Sequence, residues 1–178
     1  GMSRRIAFFT IGESPRSDVV PVMSALLGEH VQIDEYGALD ALDAPARERL
    51  APRPGAHCFA TRLRDGGSIT LDKEATEQRL AEVMREADDA GYDLLVPLCT
   101  GTALPALRTW MVEPQQVVDQ AMVALARHAH CVGALVPLAT QIETFHLAQP
   151  LPCALRVDHA SPYERDAAAA AAAFERAG

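Results

Sequence analysis

The chain has 178 residues, 49% of them hydrophobic and 22% charged, with a formal net charge of −8. That length suits one domain or two small lobes sharing a core, and the composition is that of an ordinary globular protein. The acidic balance argues against nucleic acid, which needs a surplus of Lys and Arg, and against an anionic membrane surface, but it allows a small anion in a local basic pocket.

Arg5 to Thr10 is an apolar run that reads as a first strand, followed by the turn-rich loop Ile11-Gly12-Glu13-Ser14-Pro15-Arg16. Ser17 or Asp18 is expected to cap a helix to about Leu27, with Val19, Val22, Met23, Leu26 and Leu27 at helical spacing and Pro21 in the tolerant first turn. Val31–Tyr36 reads as a strand and Ala44–Leu50 as a short helix. His57–Leu63 and Ser68–Leu71 flank Asp65-Gly66-Gly67, a hairpin signal. Asp72 is expected to cap a long helix to about Ala90, stopped by Gly91, with Leu80, Val83, Met84 and Ala87 on one face.

The strand Leu94–Leu98 then leads to Cys99, and a short helix is expected near Ala103–Arg108. Pro114 opens a helix to roughly Arg127. Cys131–Val136 reads as a strand, Leu138–Leu147 as a helix, Cys153–Val157 as a strand, and Pro162–Phe174 as a packing helix built on an alanine run. Strand–helix–strand order predicts an α/β fold with mostly parallel sheets and right-handed crossovers, the hairpin near Asp65 being the antiparallel exception.

The four cysteines, Cys58, Cys99, Cys131 and Cys153, lie far apart and mostly within apolar segments. That is reduced, cytoplasmic usage rather than a disulfide framework. No secretory signal or bilayer-spanning stretch is read, and no membrane partner is expected. His128-Ala129-His130-Cys131 invites a metal reading, but its spacing is poor for one tetrahedral site and no partner pair stands elsewhere, so no metal is expected. No phosphate loop, dinucleotide fingerprint or Ser-His-Asp arrangement stands out, and no cofactor is expected.

Cys99 is the strongest chemical signal. Ligands of open α/β sheets bind beyond the carboxyl ends of the strands, and Cys99 falls at such an end, before Thr100-Gly101-Thr102. A thiol there can serve as base or nucleophile if its pKa is lowered; the alternative is a buried, inert cysteine. Thr100 and Thr102 can hold a carboxylate or satisfy their own turn. Gly12, Ser14 and Arg16 occupy the loop after the first strand, at the same sheet edge, where the arginine fork matches a carboxylate or is simply solvated.

Three segments together, Thr10-Ile11-Gly12-Glu13-Ser14-Pro15-Arg16-Ser17-Asp18, Leu98-Cys99-Thr100-Gly101 and Ala160-Ser161-Pro162-Tyr163, resemble the AroM family, which is similar to the aspartate/glutamate racemase superfamily. The resemblance runs from about Arg5 to the end of the chain. It implies two similar α/β lobes, here 2–128 and 129–178, facing a substrate cleft, each with a strand-end cysteine acting on one face of an α-carbon.

Cys99 matches the first of these cysteines, and Val132–Thr140 resembles the start of the second lobe, which adds Thr140, Ser161 and Tyr163 as candidate contacts. Ser161 before Pro162 is also an ordinary helix start. The second cysteine is expected one strand beyond Gly178, so the second lobe reads as incomplete at its C-terminus. Cys131 and Cys153 fall near strand beginnings, away from the cleft.

The expected function is therefore binding of a small carboxylate, with Cys99 in a cofactor-independent isomerase, racemase or lyase reaction. One cysteine suits a lyase or a one-face proton transfer better than racemisation. The alternative is a non-catalytic anion-binding or regulatory protein that keeps the cleft. A homodimer is expected to cover the sheet edge of the incomplete lobe.

Overall fold

In the computed structural model, which describes residues 3–147, 149–161 and 167–177, the first apolar run forms β1 (Arg4–Thr10). It is the centre of a parallel three-stranded sheet between β2 (Val31–Gly37) and β5 (Leu94–Pro97). The register runs Arg4↔Val31 to Thr10↔Gly37 on one side and Ile6↔Leu94 to Phe9↔Pro97 on the other. The alternation of β1 decides what packs on each face. Ala7 and Phe9 meet Leu80, Val83, Met84 and Ala87 of α3 (Lys73–Asp88), while Ile6 and Phe8 meet Val20 of α1 (Val20–Leu27). A sheet covered on both faces needs apolar residues at successive positions, as Ile6–Phe9 supply.

α2 (Ala44–Glu48) is capped by Asp43, which accepts from the Ala46 amide. β3 (Cys58–Arg62) and β4 (Ser68–Asp72) form the expected antiparallel hairpin, closed by the Leu63 amide on the Gly67 carbonyl with Gly66 at φ +91°. α4 (Pro114–Ala126) leads to a second, two-stranded parallel sheet of β6 (Cys131–Val136) and β7 (Ala154–His159), and α5 (Ala167–Ala177) packs on it. A Cβ on Gly133 of β6 would stand 2.9 Å from the Ala177 carbonyl oxygen, so this glycine sets how closely α5 approaches. Among the described residues no helix is long and apolar enough to cross a membrane.

Three expectations fail, each for a local reason. Neither Ser17 nor Asp18 caps α1: Val19 holds the cap position with no side-chain bond, and the Asp18 carboxylate is taken by Arg16. α1 is also rotated relative to the expected apolar stripe, burying Val20 and partly Met23 while Val22 and Leu26 are exposed. No helix forms at Ala103–Arg108. Pro105 lacks an amide proton, and carboxylates of α3 and its end take the free amides instead: Glu77 accepts from Ala103, and Asp88 accepts from Arg108 and Thr109. The segment then adds a short edge to the sheet, with Leu95 bonded to the Trp110 carbonyl and the Val112 amide.

The third concerns Leu138–Leu147, where only a single 3-10 turn, Ala139–Gln141, is present. The Gln141 side chain accepts from the Leu138 amide, and the Thr144 hydroxyl donates to the Gln141 carbonyl, satisfying groups that a continuing helix would have used. The last strand also starts one residue later and ends two residues further on than expected. The expected start of the last helix at Pro162 lies outside the described residues.

Asp72 carries much of the site's support. It is 1% exposed, accepts from the Ala75 amide at 2.9 Å as the cap of α3, and meets the Arg53 guanidinium at 3.3 Å. The Ala75 amide and Arg53 hold its carboxyl below the usual carboxylate range, against the opposing effect of burial. A depressed folded pKa stabilises the fold above the unfolded value of about 3.9, and that contribution disappears as pH falls through the lower folded value. Asp72→Ala is expected to cost about 2 kcal/mol at pH 7 in urea unfolding, with the gap from wild type closing below about pH 4. A gap that stays constant from pH 7 to 3 would contradict this role.

Candidate functional site

Cys99 lies two residues beyond β5, and the Leu98 amide donates to the Phe9 carbonyl at 2.7 Å, which keeps the chain beside β1 up to the thiol. A cavity of about 190 Å³ opens there. Its floor is the carboxyl edge of the sheet: Thr10 at the end of β1 with Ile11 after it, and Leu98, Cys99 and Thr100 after β5. One wall is Phe59–Thr61 of β3; Pro137 and Gln141, beyond β6, form another. The cavity therefore draws on the two sheets and the hairpin.

Burial is the main influence on the Cys99 thiol and pushes its pKa up. A hydrogen bond from the Thr102 side chain and the residue's own backbone oppose this, while the carboxylates of Glu113 and Glu77 add to it. The resting group is thus a neutral thiol at pH 7. Gly101 turns the chain after it with φ +62°, a conformation that favours glycine. The Thr100 carbonyl, 3.2 Å from the Thr102 hydroxyl, is the competing acceptor for that hydroxyl's single proton.

Of the expected contacts, Cys99 and Thr100 line the cavity; Gly12, Ser14, Arg16, Gly101, Thr102, Thr140 and Ser161 do not, and Tyr163 lies outside the described residues. Gly12 has a steric task. A Cβ there would stand 2.6 Å from the Arg62 carbonyl oxygen and the Thr61 hydroxyl, so only glycine lets the loop pass under the hairpin.

Ser14 donates from its amide at 3.0 Å and its hydroxyl at 2.5 Å to Asp40, and its carbonyl accepts from the Arg64 guanidinium at 2.7 Å. Arg16 clasps Asp18 through Nε and Nη2, both at 2.9 Å, which holds the Asp18 carboxyl below its usual range. Its backbone amide donates to Glu35 at 2.8 Å. This loop is a cross-braced support beside the cavity, and its arginine already holds a carboxylate.

Thr140 and Ser161 are exposed, the first in the 3-10 turn beside Gln141 and the second after β7. Cys131 opens β6 and Cys153 precedes β7, at the opposite strand ends from Pro137. Sequence reasoning missed Thr10, Phe59, Thr61, Gln141 and Asp40. The buried alternation of β3, with Phe59 and Thr61 inward, was a usable signal for two of them. Asp40 follows Gly37 by three residues and accepts from its amide at 2.8 Å, a turn signature at the end of β2.

The AroM family profile (AroM protein) matches residues 6–178. The chain belongs to the AroM family. No curated protein and no solved structure matches it. The family match spans both sheets and the cavity between them, but fold membership alone assigns no residue a chemical role.

Proposed function

We propose that this AroM-family protein binds a small carboxylate in the cavity at Cys99, and that Cys99 acts on it as general base or nucleophile in a cofactor-independent reaction of isomerase or lyase type. The observation that carries this is the thiol's position at the carboxyl edge of a parallel sheet, in a cavity of about 190 Å³ shared with Thr10, Thr61 and Thr100. That volume is below the ~300–1,000 Å³ of drug-sized pockets and suits a molecule of few heavy atoms. Hydroxyls and backbone amides would hold the carboxylate, since no Lys, Arg or His is among the described residues lining the cavity.

Walls drawn from 2–128 and 129–178 support a two-lobe reading with the ligand between them. A thiol protonated at rest must first give its proton to solvent; the thiolate can then take the ligand's α-proton, becoming the thiol again, and return that proton to the same face. That cycle suits one-face proton transfer. The protonated thiol also favours a second reading, an anion-binding protein in which Cys99 is only part of the wall.

Thermal-shift screening of wild type and Cys99→Ser against small mono- and dicarboxylates and amino acids tests both. A binder at a hundredfold excess over Kd should stabilise the fold by about 2.7 kcal/mol. NMR in deuterated water then follows exchange at the ligand's α-carbon. Exchange by wild type alone is expected. Equal stabilisation of both proteins without exchange would favour the binding reading, and stabilisation of neither by any of these acids would sink both.

A further inference from the structure

The turn after Cys99 is fastened from outside the cavity by one side chain. Glu77, on the second turn of α3, accepts from the Ala103 amide through Oε2. The same oxygen meets Lys73 Nζ at 3.1 Å, and Lys73 Nζ stands 5.2 Å from the centre of the Phe59 ring, which forms a cavity wall. The Glu77 side chain is only 14% exposed. A single carboxylate thus joins the segment bearing the thiol to the helix that underlies it and, through Lys73, to the facing wall.

We propose that Glu77 is a positioning residue for Cys99, its carboxylate holding the thiol-bearing turn in place so that both the width of the cavity and the reactivity of the thiol depend on it. This rests on Cys99 being the reacting group. Two charged groups bear on the thiol, Glu77 from α3 and Glu113 from the residue before α4, and both oppose ionisation. The hairpin contributes Phe59, Ala60 and Thr61 to the cavity, and the segment after β6 contributes Pro137 and Gln141, none of them charged. Lys73 offsets part of the Glu77 charge.

The test is the pH profile of Cys99 alkylation by iodoacetamide, read by peptide mapping, in Glu77→Gln, Glu77→Ala and Lys73→Met. Glu77→Gln keeps an acceptor for the Ala103 amide but removes the charge. Its profile should move to lower pH, raising the rate at pH 7.5 about threefold, with the plateau at high pH unchanged. Glu77→Ala also frees the turn, so its plateau should rise as well. Lys73→Met leaves the carboxylate uncompensated and should move the profile to higher pH; it keeps the idea testable if the Glu77 variants do not fold. Profiles of the folded variants that superimpose on wild type would overturn the assignment. The assay needs no substrate, so such a failure is distinct from the failure of carboxylates to bind.

Discussion

Cys99 in the folded protein is expected to alkylate more slowly at pH 7 than the same residue in urea-unfolded chain. A free thiol with a pKa of about 8.5 is about 3% ionised at that pH, and each unit of upward shift removes a further factor of ten in thiolate. Burial supplies that upward shift here, helped by the Glu113 and Glu77 carboxylates and only partly opposed by Thr102. The folded protein's rate should still be rising with pH where that of the unfolded chain has levelled.

The same shift has a stability consequence. Above the unfolded thiol's pKa the native state binds more protons than the unfolded one, so this group's contribution falls as pH rises. Peptide mapping separates Cys99 from the other three half-buried cysteines. Equal rates in the folded and unfolded chain would refute the resting-thiol picture and, with it, the charge argument for Glu77.

Gly37→Ala is expected to destabilise the protein by about 3 kcal/mol, the upper end of overpacking costs, and to lower Tm by roughly 10 °C. The added Cβ would stand 2.5 Å from the Gly12 carbonyl oxygen, 2.8 Å from the Ser14 amide nitrogen and 2.8 Å from Asp40 Oδ1. Two of these atoms are backbone, and both belong to the loop that Asp40 and Arg64 brace, so no flexible side chain can yield. Gly55 is a control: its φ is +76° but nothing lies within 4 Å of a Cβ, so Gly55→Ala should cost only the backbone strain of about 1 kcal/mol. If the two variants melt alike, the close crossing of the loops after β1 and β2 is not what Gly37 is for. Loss of cavity binding in Gly37→Ala at temperatures where it remains folded would further tie this crossing to the site.

The parts of this molecule legible in the sequence are those decided locally. Apolar runs located β1, β5 and β6, and Val31–Tyr36 was legible as β2; Asp72 announced the start of α3; and Asp65-Gly66-Gly67 marked the hairpin, because turn and cap chemistry involve neighbours in the chain. Cys99 at a sheet edge followed from the order of elements, and the AroM resemblance of Thr10–Asp18 and Leu98–Gly101 agrees with a family match over residues 6–178.

Tertiary structure decided the rest. Whether Ala103–Arg108 coils into a helix depends on Glu77 and Asp88, which lie 26 and 20 positions away from the amides they bind. Whether Arg16 offers its fork to a ligand depends on how the loop folds back on Asp18. Whether Cys99 rests as thiol or thiolate depends on what buries it and on carboxylates brought from α3 and the start of α4. Spacing along a chain encodes period and turn. It does not encode which distant partner satisfies a backbone amide or how much water reaches a thiol, and those two quantities set the chemistry available at this cavity.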